Sequence, residues 1–489
     1  TYIQKFYLYM NLTKPEEFLH ISYSKVSSDG KTLRPAYLVW DLKKLFPKLV
    51  VTEEEALLMT QRELTPGEGL EFVIRGVRDR YLGVDESWKE LYTWYRQNEG
   101  QKVDRILDAG FFKKKPDALT GEEAAELYGE KKQFSVTRME RFSACAYAHF
   151  LTYGLHLSDR ERYEFEAMDL GNIAHQSMER FARKAQEKRM PWPKLEEVQR
   201  DAMIEESVEE SIKDYGNTVL YSTARNEYMI VRIKQLIRRS VWALTRQMEK
   251  GDFEPSGYEM NFGSGKIDRV DTCEDEDVVY VKVTDYKTGM KSFDIVALYH
   301  GLQMQLPVYL NAALELEERR ASGKTVEPAG IFYYRIKDPI VDREKDDHAL
   351  EEKILKELRL DGMINAKEEV IEHLEHQLSG TSVLNPIGKN KDGSLNRYSK
   401  VLPPEAFAAM LSYTKKKEAQ VKRQIYAGEV QANPYELNGS TGCDYCAYRD
   451  ICGFDPRLDG YAYRSLEKYS KEEVIRRMEE EIENREEPS

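Results

Sequence analysis

The sequence predicts an α/β protein in which a mixed sheet is flanked by helices. Three observations lead to this prediction: a helical pattern from residue 135 to about 250, three strand-like segments between 253 and 287, and a further helix and strand up to 336. At roughly 150 residues per domain, the 489 residues correspond to about three domains. With 41% hydrophobic and 33% charged residues, the composition excludes a collagen-like or wholly disordered chain.

Hydrophobic periodicity separates the helices from the strands. In the helical region, apolar residues recur three and four positions apart, as on one face of a helix. This stripe consists of Leu170, Ala174, Met178, Phe181 and Ala185. Segments rich in β-branched and aromatic residues then predict strands at 258–262, 266–270 and 278–285.

The second half of the chain alternates between the two patterns. A helix is predicted over 298–318, with a kink at Pro307, and a strand over 330–336. Helices at 347–378 and 404–427 flank a polar loop. The tail after Lys468 has a charged helical pattern that predicts a solvated helix.

Charged and turn-forming residues divide the chain into regions. The run Lys113–Asp117 and the pair Thr120–Gly121 predict a linker at 106–134. An N-terminal region, 1–105, therefore precedes a main domain, 135–489. Within the N-terminal region, residues 18–24 have strand character.

Charge and hydropathy limit the classes of function. The net charge of −13 argues against a surface that is basic throughout, but it allows a local basic channel for DNA. Apolar runs fall short of the roughly 18–20 residues of a membrane helix, so we expect a cytoplasmic protein without membrane contact. The chain starts at Thr1 rather than Met, which predicts a fragment or a processed product.

Three polar residues at strand positions carry the strongest chemical signal. Asp268 lies in one predicted strand; Asp285 and Lys287 lie at the end of the next, on the same side. Carboxylates from adjacent strands bind hard cations such as Mg²⁺, and a nearby lysine can offset charge on a phosphate. Such a set serves metal-assisted phosphodiester hydrolysis. An isolated Asp-x-Lys is more often a surface ion pair, but Gly265-x-x-Asp268 on the adjacent strand favours the site.

Two further pairs of residues at helical spacing are candidates for the same site. His175 shares a helix face with Glu179. Gln305 and Tyr309, on the helix after the strands, share another, from which they could contact DNA or hold Lys287. Taken singly, each of these pairs has an ordinary structural explanation.

In their order along the chain, these motifs resemble the RecB-like branch of the PD-(D/E)xK nucleases. The four motifs are Gly171…His175, Gly265…Asp268, Asp285-Tyr286-Lys287 and Gln305…Tyr309. The ligands of Mg²⁺ (or Mn²⁺) that the resemblance implies are His175, Asp268, Asp285 and the backbone carbonyl of Tyr286. The catalytic residues that it implies are Asp268, Asp285, Lys287, Gln305 and Tyr309, with Lys287 as the catalytic lysine. Glu259 is an additional candidate carboxylate.

Four of the five cysteines have the arrangement of a metal site. Cys443, Cys446 and Cys452 form a compact Cys-x₂-Cys-x₅-Cys motif, and Cys145, far upstream, is the fourth candidate ligand. Cys273 lies in a predicted acidic loop and is expected to be a free bystander. Four thiolates suit either zinc or an iron–sulfur cluster, and the spacing alone does not distinguish them.

One cysteine before the nuclease core and three after it resemble the [4Fe–4S] staple of the B subunits of bacterial AddAB-type helicase–nucleases. The segment Gly442–Asp455 is similar to the C-terminal signature of that family, and the resemblance covers essentially the whole chain. It implies a [4Fe–4S] cluster on Cys145, Cys443, Cys446 and Cys452, and a heterodimer with a helicase–nuclease A subunit. It also implies 5′→3′ exonuclease action on single-stranded DNA during double-strand break repair by homologous recombination. The chain would be the C-terminal part of a longer subunit.

The N-terminal region, 1–105, is similar to a degenerate superfamily 1 helicase domain. In Tyr9–Pro15, Lys14 stands where such helicases place an arginine at the ATP γ-phosphate, and lysine lacks the planar fork of arginine. We therefore expect ATP hydrolysis to come from the partner subunit. The segment Ser322–Thr325 lacks the first glycine of a phosphate-binding loop and is interpreted as an ordinary loop.

Two alternative functions compete with that of a nuclease subunit. A catalytically silent DNA-binding scaffold would retain the cysteines and lose the chemistry, but the site carboxylates and Lys287 are intact. A free-standing RecB-like exonuclease is disfavoured by the helicase-like opening. We therefore predict a metal-dependent deoxyribonuclease that depends on ATP only through its partner.

Overall fold

In a computed structural model, the chain forms two units, Thr1–Phe112 and Lys113–Ser489. The structure describes residues 2–27, 31–53, 65–78, 86–111, 118–129, 134–158, 160, 165, 167–215, 218–221, 223–263, 265–321, 323–344 and 346–483. No helix within these ranges is both long and apolar enough to cross a bilayer. The run Lys113–Asp117 and Ser322, which entered the sequence analysis, lie outside the described residues.

The first unit is helical in its described residues. Its helices are α1 (Tyr2–Leu12), α2 (Tyr37–Leu45), α3 (Pro66–Arg78), α4 (Glu86–Asn98) and α5 (Gly100–Gly110). A small core joins α3, α4 and α5 through Val73, Tyr95 and Val103. The predicted strand at 18–24 is wrong: these residues form no strand, because no segment among the described residues pairs with them and Phe18 is 82% exposed.

The second unit begins with helices that cover the sheet. They are α6 (Gly121–Tyr128), α7 (Val136–Ala144), α8 (Ala146–His149), α9 (Ala167–Glu187), α10 (Glu197–Asp214) and α11 (Ala224–Met248). The α9 stripe is confirmed: Ala174 to Ala185 lie in the core, and Leu170 packs against it. Helix α6 lies within the range proposed as a linker. It buries Ala124 and Tyr128 in the core of the second unit, since both are apolar positions of one helix face.

A six-stranded mixed sheet forms the centre of this unit. Its strands are β1 (Glu254–Phe262), β2 (Gly265–Asp275), β3 (Val278–Lys287), β4 (Thr325–Arg335), β5 (Asp361–Asn365) and β6 (Val401–Leu402), in that spatial order. The β3–β4 and β5–β6 pairs are parallel and the other pairs are antiparallel. Along β3, Val279 and Val281 enter one hydrophobic core and Tyr280 enters the other. Helices therefore cover both faces of the sheet, and the predicted mixed α/β fold is confirmed.

The remaining helices are α12 (Ile295–Tyr299), α13 (Gln305–Arg320), α14 (Asp347–Glu357), α15 (Glu368–Leu374), α16 (Pro404–Tyr426), α17 (Arg449–Cys452) and α18 (Lys471–Glu483). Of these, α14 and α15 pack into the core that contains Tyr280, and α12, α13, α16 and α18 pack into the core that contains Val279. A small sheet consists of β7 (Tyr435–Leu437), β8 (Ser440–Thr441) and β9 (Arg464–Ser465), with β7 in the middle.

Three predicted helices differ from those observed. The helix predicted over 298–318 is two helices, and Pro307 lies in the first turn of α13 without kinking it, because a first-turn proline disrupts no helical hydrogen bond. The helix predicted over 347–378 is interrupted by β5. The tail helix α18 is not simply solvated, because its Val474 and Met478 are fully buried against the core.

Candidate active site

Two buried aspartates lie side by side on neighbouring strands of the sheet. In the antiparallel β2–β3 pair, Arg269 is opposite Thr284. Asp268 and Asp285, one position further along this pair of strands, therefore lie opposite each other. Asp285 is 1% exposed and Asp268 is 9% exposed. The Tyr286 N–H donates to Asp268 Oδ2 at 2.7 Å, which fixes the Asp268 carboxylate against the end of β3.

Lys287 and Gln305 contact different carboxylate oxygens of Asp285. The Lys287 Nζ lies 2.5 Å from Asp285 Oδ2. On α13, the Gln305 amide nitrogen lies 3.0 Å from Asp285 Oδ1 and 2.9 Å from the Tyr309 hydroxyl. Gln305 therefore contacts Asp285 rather than Lys287. Asp285 Oδ2 is buried and has no hydrogen bond of acceptable geometry, despite its closeness to Lys287.

A histidine and a third carboxylate complete a possible metal-binding group. His175, on α9, places its Nδ1 at 3.3 Å from Asp268 Oδ2. One ligand atom each of His175, Glu259 and Asp268 lies within 4.8 Å of the others. Glu259 is also ion-paired with Lys266 at 3.0 Å. These residues line a cleft of about 480 Å³ whose wall also contains Gly171, Asn172, Glu179, Tyr215 and Thr288.

Electrostatics in this site favour a cation. Burial, together with the charge of Asp268, raises the pKa of Asp285 to about 7, although Lys287 opposes the shift. Burial and Asp268 also raise the pKa of Glu259. Burial lowers the pKa of His175, but the hydrogen bond to Asp268 and the negative charges of Asp268 and Asp285 together outweigh burial, and the net shift is upward. Crowded carboxylates at the ends of two adjacent strands fit a divalent ion, since hard cations take oxygen ligands.

Sequence reasoning missed one half-buried residue beside this site, Glu140. It lies on α7, and its Oε1 accepts from the N–H groups of Met304 at 2.7 Å and Gln305 at 3.0 Å. These N–H groups are at the start of α13, where a helix leaves its donors unsatisfied. Burial raises the pKa of Glu140, while Lys291 and Lys287 lower it. No motif marks Glu140 in the sequence, because its partners are far along the chain.

The fold brings the segments of the four predicted cysteines near one another. Cys145 lies between α7 and α8, and burial, with a smaller contribution from Cys446, raises the pKa of its thiol. Burial and the nearby Cys145, Cys446 and Cys452 raise the pKa of Cys443. The Phe454 N–H donates to the Cys452 sulfur at 3.4 Å.

Backbone contacts bring the segments of these cysteines together. Ala146 N–H donates to the Asn433 side chain at 3.0 Å, and Tyr147 N–H donates to the Gln431 carbonyl at 3.0 Å. At Gly442, an added Cβ would lie 2.9 Å from the Ala144 carbonyl oxygen, so this close approach requires glycine. The contacts place the beginning of the second unit against its C-terminal part independently of any ligand.

The description of Cys273 as part of an acidic loop is wrong. Cys273 lies in β2 and is 4% exposed, because β2 continues to Asp275 before the chain turns. A ligand atom of Asp252 and one of His373 lie within 4.8 Å of its sulfur. Its neighbours come from segments that no local pattern in the sequence connects.

Comparison with known proteins agrees with this geometry. The profile of the PD-(D/E)XK nuclease superfamily matches residues 133–453. Over 97% of its length, the chain is 37% identical to the B subunit of the ATP-dependent helicase/deoxyribonuclease of Lachnoclostridium phytofermentans, of which it covers 43%. It is 32% identical to the corresponding B subunit of Alkaliphilus oremlandii and 31% identical to that of Alkaliphilus metalliredigens, over 98% of the chain and 44% of each relative. The chain thus spans less than half the length of these relatives.

Proposed function

Because the chain belongs to the PD-(D/E)XK nuclease superfamily, we propose that it is the nuclease part of a helicase–nuclease subunit and hydrolyses single-stranded DNA with a divalent metal ion. The observation that carries this proposal is the juxtaposition of Asp268 and Asp285 on adjacent strands, with Lys287 at 2.5 Å from Asp285 and His175 at 3.3 Å from Asp268. His175 on α9 and Asp268 on β2 line the cleft, and Asp285, which is paired with Lys287, lies opposite Asp268 on β3. A DNA-binding scaffold without catalysis would not need this set.

The chain offers a coherent set of ligands for the metal ion. His175, Asp268, Asp285 and the Tyr286 carbonyl would hold Mg²⁺ or Mn²⁺, with Glu259 as a further carboxylate. When bound, such an ion supplies an activated water and neutralises charge on the scissile phosphate. The oxygen-rich donor set fits Mg²⁺ and Mn²⁺, and the single imidazole favours Mn²⁺.

The remaining residues of the site orient these groups. Gln305 and the Tyr286 N–H each occupy one carboxylate oxygen, so Asp285 and Asp268 keep fixed orientations. The Lys287 side chain is 24% exposed, so its ammonium can face a phosphate while Asp285 holds it in place. A fixed positive charge at this position stabilises the charge that develops during hydrolysis.

The test of the nuclease proposal is Lys287→Ala assayed with labelled single-stranded DNA and Mg²⁺. The variant should lose about 10²–10³-fold or more in cleavage rate, since it removes a transition-state charge, while DNA binding persists. The matched control is Lys324→Ala, which removes an ion pair with Glu274 on the surface and should cleave normally. Wild-type cleavage by purified Lys287→Ala would overturn the assignment.

The wider function rests on the relatives. Their names, each a B subunit of a helicase/deoxyribonuclease, support a heterodimer with a helicase–nuclease A subunit, and we propose this partner for the chain. We also propose 5′→3′ polarity and a role in double-strand break repair by homologous recombination. The degenerate helicase-like character of 1–105 belongs to the same proposal. End-labelled single strands, degraded by the complex with its partner, distinguish the two polarities.

We further propose that Cys145, Cys443, Cys446 and Cys452 hold a [4Fe–4S] cluster. The support for iron–sulfur rather than zinc is the order of the ligands, one cysteine before the nuclease core and three after it, which resembles the staple of the family. Hydrolysis transfers no electrons, so the role of the cluster is structural.

The cluster is tested by iron analysis of the anaerobically purified protein. We expect visible iron–sulfur absorbance in the wild type, and Cys145→Ala should lose iron and melt at a lower temperature. Full iron content and an unchanged Tm in Cys145→Ala would refute the proposal that Cys145 is a ligand of the cluster. Stoichiometric zinc without iron would establish the alternative metal.

A further inference from the structure

A second group of metal-ligand side chains lies away from the candidate active site. It consists of Asp252, in the segment between α11 and β1, Cys273 on β2, and His373 on α15. Asp268 and Cys273 are five positions apart on β2, a distance of roughly 16 Å at ~3.3 Å per residue. The group is therefore separate from the carboxylates that would bind the catalytic ion.

Backbone contacts hold the segments of this group in place. The Asp252 N–H donates to the His373 carbonyl at 2.8 Å, and the His376 N–H donates to the Lys250 carbonyl at 2.8 Å. At Gly251 between them, an added Cβ would lie 2.4 Å from the His373 carbonyl oxygen, so only glycine permits this approach. The ligands are thus positioned by the fold before any ion binds.

The side chains converge on one carboxylate oxygen. Asp252 Oδ2 lies 2.8 Å from His373 Nδ1 and 2.7 Å from His376 Nε2. The other ring nitrogen of His373 lies 3.4 Å from Asp275 Oδ2. A carboxylate on the outer nitrogen is the arrangement that orients metal-bound histidines. A simple surface ion pair would require neither this outer contact nor the buried thiol of Cys273.

We propose that Asp252, Cys273 and His373 bind a structural zinc ion, with His376, which contacts Asp252 but does not belong to the group of three, as the fourth ligand. Thiolate, imidazole and carboxylate together suit zinc in tetrahedral coordination and do not suit Mg²⁺ or Ca²⁺, which take oxygen ligands. Binding requires the Cys273 thiol and the coordinating imidazole nitrogens to give up their protons to solvent. The ion would join the entry to β1, strand β2 and helix α15.

The experiment compares zinc content among single variants of the whole chain. The protein is purified anaerobically, loaded with zinc, desalted and analysed for zinc and iron by mass spectrometry. Compared with the wild type, Cys273→Ser and His373→Gln should each lose one zinc ion per chain at unchanged iron content. The matched control is His348→Gln, because the His348 side chain is 78% exposed on α14 and should not affect zinc.

Two further measurements keep the proposal falsifiable if Cys273→Ser fails to fold. Asp252→Asn and His373→Gln alter side chains that are 44% and 19% exposed, and both should abolish the rise in Tm that zinc gives the wild type. With cobalt in place of zinc, the thiolate-to-metal absorbance of the wild type should exceed that of His373→Gln.

The outcomes separate this site from the proposed nuclease function. His373→Gln should keep the wild-type rate of DNA cleavage, because the group is remote from Asp268. Equal zinc content in wild type and His373→Gln, or an equal loss in His348→Gln, would overturn the zinc site. Neither result depends on whether the chain cleaves DNA.

Discussion

Replacing Asp285 with asparagine should stabilise the metal-free protein while it abolishes cleavage. The Asp285 carboxyl is 1% exposed, and burial together with Asp268 raises its pKa to about 7 from an ordinary value of 3.8. The folded state therefore holds the proton more tightly than the unfolded state does. Asparagine keeps a carbonyl oxygen that can accept from Gln305 and carries no charge.

The magnitude follows from the difference between the two pKa values. A raised carboxyl pKa makes the wild type lose stability as the pH rises from about 4 to about 7, and the loss persists above pH 7. For a carboxyl with a pKa of 3.8 in the unfolded state and about 7 in the folded state, the loss in the free energy of unfolding is about 4 kcal/mol at pH 8 and about 2 kcal/mol at pH 5. Relaxation around a buried charge reduces such figures, so the expected gain of Asp285→Asn at pH 8 is about 1–4 kcal/mol.

The assay is thermal and urea unfolding in a metal chelator at pH 8 and pH 5. Asp285→Asn should melt above the wild type at both values, with the larger difference at pH 8. Asp108→Asn, an exposed position on α5, is the matched control and should change stability by less than about 0.5 kcal/mol. An Asp285→Asn protein that is equally stable or less stable at pH 8 would refute the assigned electrostatics.

Three other substitutions test separate parts of the second unit. His175→Ala should raise the Mg²⁺ concentration needed for cleavage, with partial rescue by Mn²⁺, because it removes one nitrogen beside Asp268; an unchanged metal titration would make His175 purely structural. Glu140→Ala should lower kcat about tenfold or more without changing KM, because it releases the N–H group that fixes Gln305; equal kcat would exclude this positioning role. Met478→Ala should destabilise the protein by about 2–5 kcal/mol through a cavity under α18, and an unchanged Tm would contradict this packing.

The motifs of the candidate active site could be found in the sequence because each reflects a local constraint. Asp285 and Lys287 share a strand face by the period of two, and Gln305 and Tyr309 share a helix face by i, i+4 spacing. The order of these motifs along the chain then selects one family. Nothing in that pattern shows which atom each side chain contacts, and Gln305 contacts Asp285 rather than Lys287.

Residues that depend on distant partners could not be predicted. Glu140 matters because α13 begins beside α7, more than 160 positions later in the chain. Asp252 and Cys273 approach His373 because helix α15 packs at the end of β2. Similarly, β5 interrupts a run with good helical character, because pairing with β4 outweighs local propensity there. Local periodicity carries no information about such tertiary contacts.

Repulsion among the carboxylates of the candidate active site lowers the stability of the metal-free protein and favours the binding of a cation. Asp285 and Glu259 both have raised pKa values because burial and the charge of Asp268 disfavour their ionised forms. Lys287 and His175 oppose this repulsion at Asp285 only in part, since its pKa remains near 7. A divalent cation would relieve the remainder, because it favours the ionised form of every carboxylate near it. At alkaline pH the carboxylates are ionised, so their repulsion destabilises the metal-free protein most. The same ionised carboxylates would then bind a metal ion most tightly.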